Sequence, residues 1–138
     1  MTHKSVIPVL VASTFIIFAG CSEDPARPDA KIEGVWGADH HELVASGDGI
    51  LVEYDCAHGT IEEALVFDSA GTFDVMGTHT QEGGPVDLDS PPLALEARYQ
   101  GRLVGDRLEL TVTIAETGDV IGPYTVVRGE KGTLYKCL

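Results

Sequence analysis

From Val35 onward, apolar and polar residues alternate at every second position in short runs. No segment sustains apolar residues at the i, i+3, i+4, i+7 spacing of an amphipathic helix. The clearest run is Leu108-Glu109-Leu110-Thr111-Val112-Thr113-Ile114, and Leu95, Ala97, Tyr99, Gly101 and Leu103 alternate as cleanly with Glu96, Arg98, Gln100 and Arg102. Successive side chains of an extended chain point to opposite faces, so each run reads as a half-buried antiparallel strand. The pattern predicts eight strands, near 40–46, 50–57, 60–68, 72–79, 94–104, 106–116, 119–128 and 133–137.

Gly47-Asp48-Gly49, Ser69-Ala70-Gly71, Gly105-Asp106, Thr117-Gly118-Asp119 and Gly129-Glu130-Lys131-Gly132 separate these runs. Such short turns join antiparallel neighbours, because a parallel return needs a crossover of a dozen residues or more. The expected fold is therefore all-β, an antiparallel up-and-down meander of eight strands. Closing it into a small barrel would remove both exposed edges. At about three inward side chains per strand, Leu, Ile, Val, Phe and Tyr would be numerous enough to fill so small a barrel.

Residues 77–93, GTHTQEGGPVDLDSPPL, form the one connection too long for a hairpin turn. Long irregular loops often serve as lids or binding loops. Asp87 and Asp89 lack the further oxygen ligands of a calcium loop, so a solvated acidic loop is the preferred reading.

The N-terminus follows a different pattern. One lysine precedes an apolar run from Val6 to Phe18, too short for the roughly twenty residues a spanning helix needs, and small residues follow it. The sequence Phe18-Ala19-Gly20-Cys21 resembles the lipobox of bacterial lipoproteins. That resemblance implies cleavage before Cys21, lipidation of its sulfur including palmitate, and stable anchoring by two or three acyl chains. Ser22, in place of an inner-membrane retention signal, leans towards the outer membrane, facing the periplasm. The expected organisation is a signal peptide over 1–20, a lipidated cysteine and disordered tether over 21–33, and a barrel over 34–138.

Ile32-Glu33-Gly34-Val35-Trp36 is similar to the Gly-x-Trp opening of lipocalins, whose Trp plugs one end of the barrel. The segments GVWGADHHEL, EYDCAHGTI, FDVMGTH, GGPV and LYKCL resemble a group of small bacterial lipoproteins with a lipocalin-like, calycin-type barrel. That group implies no particular activity.

Charge narrows the partners. The 138 residues carry 22 acidic against 9 basic side chains, a net charge of −13. Loss of residues 1–20 would remove only Lys4, leaving 8 − 22 = −14. Such acidity excludes a nucleic-acid footprint and an anionic bilayer surface as charge partners, so membrane contact rests on the lipid.

With Cys21 lipidated, Cys56 and Cys137 remain, in a compartment where disulfides persist. In the expected meander their strands run the same way and end at one rim, so a disulfide is expected, both sulfurs pointing inward. The alternative is two free thiols, or a nucleophile pair of Cys56 with His58. His40, His41, His58 and His79 fall at the same rim, near Asp39, Asp55 and Glu82. Imidazole with carboxylate suits zinc, making His40, His58 and His79 candidate ligands. Their spacing matches no recognised site, and the competing reading is four ordinary rim residues with no cofactor. No motif with a catalytic mechanism follows Cys21, so a non-enzymatic protein is expected. The two functions in play are an envelope module binding a small ligand and an envelope interaction or structural protein with a filled core.

Overall fold

The structure, a computed structural model, describes residues 31–83 and 89–137. The lipobox, Cys21, most of the expected tether, and Gly84, Pro85 and Asp87 of the long connection lie outside these residues. The strands are β1 Gly34–Ala38, β2 His41–Ser46, β3 Gly49–Tyr54 and β4 Ala57–Ile61, then β5 Thr72–Gln81, β6 Ala94–Val104, β7 Arg107–Ile114 and β8 Val120–Arg128. Each pairs antiparallel with the next, and β8 returns to β1, so the sheet closes into an eight-stranded barrel. No helix occurs among the described residues. The all-β meander and its closure agree with the sequence pattern.

Three strand assignments differ from that pattern. The segment GVWGA, expected only to open the domain, is β1 and supplies the closing edge, pairing Trp36 with Arg128 and Gly37 with Val127. The expected strand 133–137 does not form, and Thr133 makes only a single parallel bridge to Asp39. The reason is topological: once β1 and β8 pair, no free edge remains for a ninth segment. The expected strand 60–68 likewise stops at Ile61, and Glu62 and Glu63 lead into a connection that turns back under the barrel.

That connection closes the lower end, where β1 begins. Leu65 and Phe67 are buried there with Ile32, which the expected boundary had left in the tether. Lys31 bridges to Val66, Phe67 meets Phe73 edge-on at 5.7 Å, and the Arg128 guanidinium lies 4.8 Å from the Trp36 ring. Higher up, Tyr99 spans the interior and donates its hydroxyl to Thr78 O at 2.6 Å. The ring has room because Gly59 and Gly77 face it, where any Cβ would collide with the phenol. The interior is thus filled by aromatic and aliphatic side chains, with Trp36, Tyr99, Leu108, Leu110 and Val112 completely enclosed.

After β8 the chain turns upward along the outside as a strap, residues 129–137. It crosses β1 at Gly37, where a Cβ would strike the backbone of Lys131 and Gly132. Gly132 N donates to Glu42 Oε2 at 2.8 Å, and His40 N donates to Thr133 O at 2.9 Å. Tyr135 N donates to Asp55 Oδ1 at 2.9 Å, and Lys136 pairs with Glu53 and Glu82. The strap ends in a disulfide between Cys137 and Cys56, with Cα atoms 5.1 Å apart. The bridge matches the expected pairing, but its setting does not. Cys56 occupies the β3–β4 turn and Cys137 is exposed on the strap, so the bridge lies at the outer rim and not in the interior.

Candidate functional site at the mouth of the barrel

An antiparallel meander places alternate turns at alternate ends. The β1–β2, β3–β4 and β7–β8 turns, with the long β5–β6 connection, therefore share the upper rim. The four histidines gather there, and each has a different environment.

His40 stands in the two-residue β1–β2 turn with a left-handed backbone, φ 68°. Its Nδ1 lies 2.6 Å from Asp55 Oδ2, and its ring tilts over Tyr135 at 5.6 Å. Asp55 is held below its ordinary carboxylate range chiefly by the hydrogen bond from Tyr135 N; burial opposes this, and His40 adds to the lowering. His41, first residue of β2, donates Nδ1–H to Asp39 O at 2.9 Å and stacks on Tyr124 with ring centres 3.9 Å apart.

His58 lies within β4, on the outward face, and not beyond the end of a strand as the sequence suggested. Its Nδ1 is 2.5 Å from Glu82 Oε1. This hydrogen bond leads the effects that lower the Glu82 carboxyl, and Lys136 adds to it.

His79, on β5, faces inward and is only 6% exposed. Its ring lies 5.5 Å from Tyr54. Among the described residues, its Nδ1 is the only buried side-chain nitrogen or oxygen without a hydrogen-bond partner. Burial, reinforced by nearby His58, lowers its pKa and keeps the ring neutral around pH 7. An unsatisfied buried polar atom costs about 1–3 kcal/mol, so this position is disfavoured unless something completes it.

Between these side chains lies a cleft of about 290 Å³, open at the mouth. Its walls include His40, His41 and His79, with Tyr54 at its base and Asp55 and Gln81 on one side. Ala57 and Ile121 add apolar surface. Below it, Tyr124 donates to Tyr54 Oη at 3.3 Å, and burial raises the pKa of Tyr54, Tyr99 and Tyr124, so all three phenols stay protonated.

The expected histidine cluster is therefore present as a rim, but its members do not converge on one point. His40 and His58 each engage a separate carboxylate, and His58 does not line the cleft. Among the described residues, no three of His, Cys, Asp and Glu form a group suited to a metal ion. Engagement of Cys56 in the disulfide replaces the free-thiol and Cys56–His58 nucleophile alternatives. Tyr54, Tyr124 and Gln81 were not singled out in the sequence. The inward parity of Tyr54, two residues before Cys56, was the one signal that could have placed it here. Comparison with protein-family models, curated proteins and solved structures finds no match.

Proposed function

We propose that the protein is a lipid-anchored, non-enzymatic binding module of the bacterial cell envelope, holding a small ligand in the cleft at the mouth of its barrel. The observation that carries this reading is the cleft itself, a recess of about 290 Å³ above an otherwise filled interior. It lies at the small end of the roughly 300–1,000 Å³ typical of ligand pockets, so a fragment-sized molecule fits better than a long lipid.

The lipobox supplies the address, with Cys21 as the anchor and the outer membrane, periplasmic side, as the location. Residue 31 enters the barrel at the end opposite the cleft, so an N-terminal anchor would turn the mouth away from the bilayer. Native mass spectrometry of protein purified from its own host tests the ligand, with a retained small mass as the expected result. An empty spectrum would overturn the ligand reading. Incorporation of labelled palmitate, abolished by Cys21→Ser, tests the anchor.

The filled core favours a second reading, a structural or protein-interaction lipoprotein whose rim contacts another envelope protein. In-cell crosslinking from rim positions such as Tyr135 that reproducibly recovers one protein would support it.

A further inference from the structure

We propose that the mouth cleft selects a small organic cation, an ammonium or guanidinium carried on an apolar body of about ten heavy atoms. The inference rests on the small-ligand reading above and adds the chemical class. Three observations carry it.

The first is the hydrogen-bonding character of the walls. His41 commits Nδ1–H to a backbone carbonyl and His40 directs Nδ1 at a carboxylate, so the polar atom each ring has left is Nε2, an acceptor whenever the ring is uncharged. Gln81 uses its amide N–H on Cys56 O, which leaves its carbonyl oxygen as an acceptor. Both Asp55 oxygens are already engaged, by Tyr135 N and by His40 Nδ1, and each keeps a further lone pair as an acceptor. The cleft therefore presents an excess of acceptors, and a complementary ligand is rich in N–H donors.

The second is His79, nine-tenths buried in the wall with an unpartnered Nδ1. No neighbour fixes its tautomer, so the neutral ring can leave Nδ1 unprotonated and accept a hydrogen bond. An ammonium or guanidinium N–H would complete it. In the other tautomer the ring would donate Nδ1–H to an anion, but the Asp55 carboxylate in the same wall opposes one.

The third is charge and ring surface. Asp55 lies in the wall, with Glu53 near the end of β3 and Glu82 just past the end of β5. The basic group at the strap's end, Lys136, is already shared between Glu53 and Glu82. A cation is drawn into such a recess, and the Tyr54 face adds a cation–π attraction that a neutral or anionic ligand forgoes.

Three probes of one shape isolate the charge: 2-phenylethylamine, 2-phenylethanol and phenylacetate, titrated by calorimetry into the intact protein at neutral pH. The amine is expected to bind at least about tenfold more tightly than the alcohol, with phenylacetate weakest. The ring ¹⁵N signals of His79 should shift on addition of the amine. His79→Leu and Gln81→Met should each weaken the amine about fivefold or more and the alcohol, with its single O–H donor, by less. Gln81 is exposed, so its variant keeps the test available if His79→Leu fails to fold. Equal affinity for the three probes, or tightest binding of phenylacetate, would overturn the cation inference and leave the small-ligand reading standing. If no probe binds up to about 10 mM the inference is likewise overturned, and the small-ligand reading is then decided separately by the native mass spectrum.

Discussion

Replacing both Cys56 and Cys137 with serine removes the covalent end of the strap, and its cost can be worked from the chain. The bridge joins residues 81 apart in sequence. In the chain-entropy treatment, closing a loop of that length lowers the entropy of the unfolded ensemble by about 15 cal/mol/K, or about 4.5 kcal/mol at 25 °C. The native side offsets part of this. Once uncoupled, the strap is held by backbone bonds to Glu42 and Asp55 and by the exposed Lys136 pairs, so its last residues can fray and recover some freedom. The expected net loss is about 3–4.5 kcal/mol. For a domain near 105 residues the unfolding entropy is about 220 cal/mol/K, so the melting temperature should fall by about 14–20 °C. Differential scanning calorimetry of the double variant, alongside urea unfolding for ΔG, measures both quantities. A fall of less than about 5 °C, near 1 kcal/mol, would refute the view that the bridge is a principal constraint on this fold.

Three further outcomes follow from the geometry. Because His79 is neutral when folded and protonates more readily when unfolded, its contribution is present above the ordinary imidazole range and is lost as pH falls through that range towards its lowered folded value. Urea midpoints should therefore decline across that interval, with a shallower decline in His79→Leu; an unchanged slope would remove His79 from the account. Gly37→Val should push the strap off β1, costing about 1–3 kcal/mol and accelerating amide exchange at His40 and Thr133, whose N–H groups bond across this junction. Gly59→Ala should cost a similar amount by displacing the Tyr99 phenol, visible as a lowered melting temperature and a shifted Tyr99 ring signal in NMR spectra.

The strands with sustained alternation, β6 and β7, were legible because each has one buried and one solvated face, and two-residue turns such as Gly105-Asp106 fixed their boundaries. β1 was hidden for a physical reason. It is five residues long, and its outward position Gly37 is covered by the strap, so it lacks the polar face that marks a surface strand. The tail misled in the opposite sense, since Leu134, Tyr135 and Lys136 resemble a strand but lie outside a barrel with no vacant edge. The disulfide pairing was reached from cysteine number and a shared rim, which survived the wrong strand assignment because the strap delivers Cys137 to the same end. The cleft was harder to foresee. It depends on which rim side chains turn inward, and residue order alone did not show that His79 faces the interior while His58 faces out.

The strap also gives the molecule a mechanical character. The backbone from Cys56 to Cys137, sealed by the disulfide, is a closed belt that contains β4 to β8 and then passes over β1 and β2. The first hairpin lies beneath it. A pull transmitted along the N-terminal segment enters at β1, whose seam with β8 is only two residue pairs long, and that seam would be the first to shear. The belt sets the limit of the damage: β1 can peel away, while the Cα atoms of Cys56 and Cys137 stay 5.1 Å apart and keep the end of the strap at the upper rim, ready to close again when the tension is released.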